Sequence, residues 1–236
     1  MTTESDLAHL ARYPTPTIAN ALECMGMPPD VGYTDATLRL ATPGLPAFVG
    51  WAVTARLSTH RPTDPPDARP SMEAWWRHVA SRPTPAIVVA EDVDTPPDGS
   101  MWGEVQGRLH RALGVSGIVT NGAVRDVDEL RAIGMPVLAT RLVVSHAYPH
   151  FVGFGDPVRV AGLTVEQGDL LHADQHGVQR IPPGTDLAKL IRVAADIEAL
   201  ERELFVAAEA NGRDIEGYLA TWRSVRERWP RPTDGI

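Results

Sequence analysis

Hydrophobic and polar positions in the middle of the chain follow two periods in turn, one typical of strands and the other of helices. Short apolar runs that predict buried strands occupy residues 48–57, 85–90, 115–119 and 137–139. Apolar stripes at helical spacing lie between these runs, and they consist of Trp75, Trp76 and Val79; Val105, Leu109, Ala112 and Leu113; and Val127, Leu130 and Ile133. Strands that alternate with helices pair in parallel through right-handed crossovers, so this block predicts an α/β fold.

Both ends of the chain add elements to this block. Thr15 as an N-cap, followed by Pro16, predicts the start of a short helix. Short strand-like runs between residues 157 and 181 predict a small β layer, and a long amphipathic helix follows from about Asp186. We therefore expect one α/β domain over residues 1–185, a C-terminal helical extension over 186–228 and a tail over 229–236.

Composition narrows the classes of function. The net charge of -8 argues against a nucleic-acid-binding protein, because phosphate binding needs clustered Lys and Arg. Lys189 is the one lysine of the chain, so Schiff-base chemistry is disfavoured and arginine supplies nearly all positive charge. The single cysteine, Cys24, excludes an intrachain disulfide, and no apolar run approaches the length of a membrane span. We expect a soluble cytoplasmic protein that does not bind membranes.

Candidate chemistry concentrates at Arg125-Asp126, which follows the turn at residues 121–122. The plain interpretation is that Asp126 caps the next helix and that Arg125 makes a surface ion pair. A glycine turn that leads into a helix N-terminus nevertheless exposes free backbone N–H groups, which together with an arginine favour an anion. The same arrangement recurs at Gly103-Glu104.

Two pairs of histidines have a spacing of four residues, which on a helix would allow both members to bind one metal ion. Pro149 interrupts the first pair, His146 and His150, and a glycine turn interrupts the second pair, His172 and His176, so neither pair predicts a metal site. His146 remains a second candidate for the pocket because it follows a predicted strand.

The order of several motifs from Thr15 to Pro182 resembles one known family. The motifs are Trp102-Gly103-Glu104, residues 114–119, 121–126 and 134–137, Pro157-Val158, Gly168-Asp169-Leu170, Asp174, Gly177-Val178 and Pro182. They are similar to the family shared by 4-hydroxy-4-methyl-2-oxoglutarate aldolase and the regulator of ribonuclease E activity. The resemblance implies a compact layered β/β/α fold like the swivelling phosphohistidine domain. It also implies a homotrimer or hexamer with active sites between subunits.

The resemblance also implies roles for individual residues. Gly103, Glu104, Val105 and Gln106 match a segment that binds the pyruvyl group, and Arg125 matches the substrate-binding arginine. Asp126 matches the ligand of a divalent metal, Mg²⁺ or Mn²⁺, whose water Glu104 would hold. A neighbouring subunit would contribute a glutamate from the C-terminal extension, for which Glu198 and Glu201 are the candidates. The sequence at 105–107 departs from the Leu-rich continuation of characterised aldolases, so the distal half of the substrate is expected to differ.

These expectations favour a metal-dependent lyase that cleaves a 4-hydroxy-2-oxo acid to pyruvate and also decarboxylates oxaloacetate. A metal-bound hydroxide or a carboxylate would remove the proton from the C4 hydroxyl. Two alternatives stay open: a non-catalytic protein that binds and regulates a ribonuclease, and a lyase or hydratase that acts on another sugar-derived 2-oxo acid.

Overall fold

The computed structural model describes residues 3–65 and 68–231. Its helices are α1 (Glu4–Leu10), α2 (Thr15–Cys24), α3 (Met72–Ala80), α4 (Glu104–Ala112), α5 (Val127–Ala132), α6 (Leu187–Asn211) and α7 (Ile215–Arg228). Its strands are β1 (Arg39–Leu40), β2 (Phe48–Ser58), β3 (Ala86–Asp92), β4 (Val115–Thr120), β5 (Ala123–Val124), β6 (Val137–Ala139), β7 (Arg141–Leu142), β8 (His150–Phe154), β9 (Val158–Val160), β10 (Leu163–Val165), β11 (Leu170–Asp174) and β12 (Gly177–Ile181). The predicted mixed α/β character with C-terminal helices is confirmed.

An eight-stranded sheet forms the centre, in the order β1-β6-β4-β3-β2-β11-β12, with β8 also paired to β2. The neighbours β2, β3, β4 and β6 are parallel, as the alternation of strands and helices predicted. The pairs of β2 with β8 and with β11 are antiparallel, so the sheet is mixed. Its parallel part brings the carboxyl ends of β3, β4 and β6 to one edge.

The small β layer was predicted only in part. β9 and β10 form a separate two-stranded hairpin, but β11 and β12 extend the main sheet beyond β2. The side chains explain this placement, because all five residues of β11 are buried and a strand covered on both faces belongs inside a sheet.

Two predictions for helices were wrong in detail. Thr15 is the first residue of α2 instead of its N-cap, and its backbone N–H donates to Asp174 Oδ2 at 2.9 Å. In α4, Val105 is 77% exposed, whereas Gly107 and His110 are buried. The reason is that α5 packs closely on α4, where a Cβ on Gly107 would lie 2.3 Å from Leu130 Cδ2.

The predicted C-terminal helices are present as α6 and α7, and α7 ends at Arg228. Residues Leu190, Ala194 and Ile197 of α6 are buried against α1 and α2. The predicted tail lies outside the described residues from position 232 onward. The division of the chain at residue 185 and the likeness to the phosphohistidine domain stay predictions.

Candidate active site

The two segments singled out in the sequence run side by side in the structure. Trp102 forms a parallel bridge with Val124, and the Arg125 N–H donates to the Trp102 carbonyl at 3.0 Å. Ser100 joins the same segments, since its hydroxyl lies within hydrogen-bond distance of the Trp102 and Ala123 carbonyls, at 2.8 and 2.7 Å. This pairing places the N-terminus of α4 beside Arg125-Asp126.

Asp126 occupies the N-cap position of α5, but its side chain makes no capping hydrogen bond there. Its Oδ2 instead accepts the backbone N–H of Glu104, at 3.0 Å, and lies 3.6 Å from Arg125 Nε. The backbone of Asp126 is left-handed, with φ 54° and ψ 44°. A non-glycine residue held in this conformation has a surrounding structure that enforces it. The capping interpretation of the carboxylate is therefore wrong, because the carboxylate faces the first turn of α4.

Gly103 makes this approach possible. A Cβ at position 103 would lie 2.5 Å from Asp126 Oδ2 and 3.2 Å from Arg125 Nε. The backbone of Gly103 is extended, with φ -158°, so the absent side chain is what this position requires, not a special conformation. The glycine that the sequence placed in the candidate site thus admits both charged groups to the N-terminus of α4.

A cavity of about 160 Å³ opens at this junction. Six residues of the sequence-predicted site line it, namely Gly103, Val105, Gln106, Arg125, Asp126 and His146. The sequence missed its other lining residues, Met72, Ser100, Met101 and Pro149. Their contribution depends on how loops pack across the end of the sheet, and hydrophobic periodicity carries no signal for that packing.

Three predicted acidic residues do not line this cavity. Glu104 contributes its backbone N–H, but its carboxylate accepts from Arg108 Nε at 2.8 Å along the outside of α4. Glu198 is exposed on α6, 3.9 Å from Arg202, and Glu201 is half-buried on the same helix. The role predicted for Glu198 or Glu201 concerns a neighbouring subunit and stays a prediction.

His146 lies at the rim of the cavity, where its side chain is exposed. Its Nδ1 is 2.8 Å from the Ala147 carbonyl. A carbonyl only accepts, so in the neutral ring Nδ1 carries the proton and Nε2 is the acceptor. His172, from the second histidine pair, is fully buried against Thr15 and the Leu10 carbonyl and is therefore part of the packing.

Most of the chain matches one known protein family. The family model described as RraA-like, Aldolase/RraA, matches residues 15–179. The chain belongs to the RraA-like family.

Several relatives of this RraA-like chain carry names that describe an activity. A protein of Halalkalibacterium halodurans named "Putative 4-hydroxy-4-methyl-2-oxoglutarate aldolase" is 28% identical over 140 residues, which cover 58% of this chain and 65% of that protein. A Burkholderia mallei protein of the same name is 40% identical over 73 residues, which cover 30% of this chain and 44% of that protein. The matched segments thus span less than two thirds of these curated relatives.

Solved structures share the fold of the RraA-like chain. An uncharacterised protein of Pseudomonas syringae pv. tomato superposes with a TM-score of 0.71 at 21% identity, covering 93% of this chain and 95% of that one. Streptomyces coelicolor RraAS2, described as an unusual member of the RNase ES inhibitor RraA family, superposes with a TM-score of 0.66 at 20% identity, covering 85% and 96%. These likenesses establish the fold.

The donor set of the site fits a hydrated divalent cation. Asp126 Oδ2 already accepts the Glu104 N–H, so Oδ1 is the oxygen left for a ligand. Among the described residues, no group of three or more His, Cys, Asp or Glu side chains is placed to enclose a metal ion. Mg²⁺ commonly binds through one or two carboxylates and completes its octahedron with water and substrate, which this arrangement allows.

A buried histidine, His110, holds the first turn of α4 in place through hydrogen bonds. The Trp75 indole N–H donates to His110 Nε2 at 2.8 Å, and His110 Nδ1 donates to the Gln106 carbonyl at 2.7 Å. Burial lowers the pKa of His110 to about 4, so the ring is neutral at physiological pH and keeps this tautomer. Trp102 packs edge-on against the same ring, at 5.3 Å between centroids. His110 therefore connects α3, the first turn of α4 and the strand-like segment that holds Arg125.

In the part of the chain that the structure describes, no helix is both long enough and apolar enough to cross a membrane.

Proposed function

We propose that this chain is a divalent-metal-dependent lyase that cleaves a 4-hydroxy-2-oxo acid into pyruvate and a carbonyl compound. The observation that carries the proposal is the placement of Asp126, whose carboxylate leaves its own helix and meets Arg125 and the N-terminus of α4 at one cavity. The names of the aldolase-like relatives support the same class of reaction.

The metal would be Mg²⁺ or Mn²⁺, held by Asp126 Oδ1 and, through water, by Glu104. When bound, such an ion supplies Lewis-acid stabilisation of the negative charge that develops on the 2-oxo oxygen. To reach this water, the Glu104 carboxylate must break its contact with Arg108. Both side chains are exposed enough to permit this, Glu104 at 37% and Arg108 at 61%.

The residues of the chain would bind the anionic end of the substrate. Among the described residues, the Arg125 guanidinium makes no hydrogen bond, so its donors are available for a carboxylate. The first N–H groups of α4 have no partner within the helix. Those of Val105 and Gln106 belong to the N-terminus of α4, where the helix dipole favours negative charge. Together these groups would hold the C1 carboxylate and the 2-oxo oxygen.

The bond cleavage then requires two proton transfers. His146 Nε2 would accept the proton of the C4 hydroxyl, and the C3–C4 bond would break to form the C4 carbonyl. The electron pair of that bond passes into the C2–C3 unit as an enolate, whose charge Arg125 offsets. A proton from solvent adds at C3 to complete pyruvate, and His146 releases the C4 hydroxyl proton to solvent. Loss of CO2 from oxaloacetate gives the same enolate, so decarboxylation is expected from the same site.

Exchange of the C3 protons of pyruvate with D2O tests the proposal, because it requires the enolate but no particular leaving fragment. NMR of pyruvate methyl protons should show exchange that depends on Mg²⁺ or Mn²⁺ and stops on chelation. Arg125→Ala should slow exchange by about 100-fold, the usual effect of removing one group that stabilises a developing oxyanion. No exchange above the metal blank, or full exchange in Arg125→Ala, would refute the proposal.

Gly103→Ala provides a matched geometric test of the same site. The added methyl group would displace Asp126 Oδ2, so we expect a similar loss of exchange. Gly153→Ala is its control, because a Cβ there meets nothing within 4 Å. Equal activity of the two alanine variants would contradict the assignment of Asp126.

A second candidate is a protein-binding regulator of a ribonuclease. The observation that favours it is an open, largely apolar groove of about 780 Å³ on α6 and α7, lined by Val206, Ala207 and Thr221 among others. Retention of a purified ribonuclease on the immobilised chain, together with no metal-dependent exchange of pyruvate, would support the regulator over the lyase.

A further inference from the structure

The lining of the cavity at Arg125 divides into charged and uncharged side chains. Arg125 and Asp126 lie together beside Gly103. Gln106 lies against Met72, and these two mark the part called here the uncharged end. The other uncharged side chains of the lining include Met101, Val105, Pro149 and the rim residue His146. Among the described residues that line the cavity, Arg125 is the one permanently charged cation. If this arginine binds the C1 carboxylate, the uncharged end receives the part of the substrate beyond C4.

The amide of Gln106 has a defined orientation at the uncharged end. The indole N–H of Trp76 lies 3.3 Å from Gln106 Oε1, and an indole nitrogen only donates, so this contact identifies the oxygen. The amide nitrogen Nε2 then faces Met72 Sδ at 3.8 Å, and a thioether is a weak acceptor. Gln106 therefore presents an uncharged donor whose hydrogen-bonding capacity is largely unused.

In the described parts of the chain, no arginine or lysine besides Arg125 lines the cavity. Arg108 follows Gln106 on α4, but its Nε and Nη2 lie 2.8 and 2.7 Å from Glu104 Oε1 on the outside of the helix. A carboxylate placed beyond C4 would consequently meet two methionines, a valine, a proline, one amide and the rim imidazole of His146, with no permanent positive charge among them. Burial of an unpaired charge is unfavourable, whereas a hydroxyl or carbonyl oxygen would be satisfied by Gln106.

We propose that the substrate beyond C4 is short and uncharged, with an oxygen that accepts a hydrogen bond from Gln106 Nε2 and an alkyl surface against Met72 and Pro149. The proposal rests on the proposed lyase function and narrows its substrate class. Cleavage of such an acid moves the C4 hydroxyl proton to the base and the C3–C4 electron pair to the pyruvyl unit. The fragment released is a small uncharged aldehyde.

Three substrates that differ only beyond C4 test this inference. They are 4,5-dihydroxy-2-oxopentanoate, 4-hydroxy-2-oxopentanoate and 4-hydroxy-2-oxoglutarate, which carry a hydroxymethyl, a methyl and a carboxylate group. Pyruvate release should give the highest kcat/KM for the hydroxymethyl compound and a value at least about 10-fold lower for the carboxylate compound. A carboxylate compound that is equal or better would overturn the inference.

Variants of Gln106 examine the cause of the preference. Gln106→Leu should remove the advantage of the hydroxymethyl over the methyl compound, and Gln106→Arg should shift preference toward the carboxylate compound by about 10-fold or more. Gln175→Arg, the same change at the exposed turn between β11 and β12, should leave the ratios unchanged. Ratios measured within one variant cancel any loss of folded protein, and unchanged ratios in both Gln106 variants would overturn the assignment.

The exchange of pyruvate protons distinguishes a failure of the lyase function from a failure of the substrate preference. Exchange without a preference for uncharged substrates would refute the inference and leave the lyase function in place. Absence of both exchange and pyruvate release would refute the lyase function itself.

Discussion

The buried carboxyl group of Asp92 makes the stability of the fold depend on pH. It is the last residue of β3 and is 4% exposed. Its Oδ1 accepts the Asp94 N–H at 3.0 Å, and its Oδ2 lies where a Cβ on Gly122 would meet it at 2.8 Å. Burial, and then the nearby Asp94 carboxylate, raise the pKa of Asp92 to about 6, against partial compensation by the Asp94 N–H. The protonated form is therefore favoured in the folded protein.

The consequence is a loss of stability as pH rises. An unfolded Asp titrates near pH 4 and the folded Asp92 near pH 6, so the unfolded state releases this proton first. The contribution of Asp92 to stability is fully present below the unfolded pKa and is lost as pH rises through the folded pKa. Asn resembles the protonated form at every pH. The advantage of Asp92→Asn in free energy of unfolding should increase by about 1 kcal/mol between pH 5 and pH 8.

Denaturant titrations of both proteins at several pH values measure this difference. Asp196→Asn, the same substitution at an exposed position of α6, is the control for the change of residue itself. A constant difference for Asp92→Asn, or one that decreases with pH, would contradict the prediction.

The candidate site could be predicted from the sequence only in part. Arg125 and Asp126 could be found because a glycine turn after a buried strand is a local signal. The contact of Asp126 with the Glu104 N–H could not, because it depends on two segments 22 residues apart running side by side. Glu104 illustrates the same limit, since the family resemblance implies a role for its carboxylate and the structure pairs that carboxylate with Arg108.

At the scale of elements, buried polar contacts set where α3 and α4 lie. His110 is fully buried, accepts from Trp75 and donates to Gln106, so both helices depend on one imidazole ring. Loss of either partner leaves a buried polar atom without a hydrogen bond, which costs about 1–3 kcal/mol. Removing both partners leaves neither atom unsatisfied.

A double-mutant cycle should reveal this coupling. Trp75→Phe and His110→Leu should each destabilise the protein, and the double variant should lose at least about 1 kcal/mol less than the two single losses combined. Trp76→Phe is the matched control, because Trp76 donates to Gln106 instead of His110. Its cycle with His110→Leu should be closer to additivity. Strict additivity for Trp75 and His110, from urea denaturation, would show that the hydrogen bond does not couple the helices.

Element type was more predictable than element partners. Strands and helices from residue 48 to residue 139 follow from local periodicity, and the structure confirms them. The choice of β2 as the neighbour of β11 depends on which sheet edge is open, which local sequence does not encode. The stripe predicted for α4 failed for a related reason. α5 approaches so closely that a glycine, Gly107, occupies that contact, and His110 is buried against Trp75 and Trp102 instead.

At the scale of the whole molecule, α6 divides into two parts. Its first part is buried against α1 and α2, whereas its second part packs on α7, where Arg228 donates to both carboxylate oxygens of Glu203, at 2.9 and 2.6 Å. Large apolar side chains remain exposed on this second part and on α7, namely Phe205, Val206, Ile215 and Trp222. An exposed apolar patch commonly marks an interaction surface.

We expect a second copy of the chain to cover this surface, because the family resemblance implies a trimer or hexamer with active sites between subunits. Light scattering should then give three or six times the chain mass of 25.6 kDa. Val206→Glu should lower that mass, since Val206 lines the open groove on α6 and α7 and a buried glutamate would lack a partner. Ala208→Glu, on a different side of the same exposed turn, should not.

The same variants test whether assembly and catalysis are linked. If a neighbour completes the site at Arg125, pyruvate exchange in Val206→Glu should fall with the assembled fraction and recover at high protein concentration, because association follows mass action. Ala208→Glu should keep both mass and exchange. Full exchange by a dissociated Val206→Glu chain would show that the residues around Arg125 act within one subunit. If the protein without substitutions has the mass of a single chain, the predicted assembly is wrong.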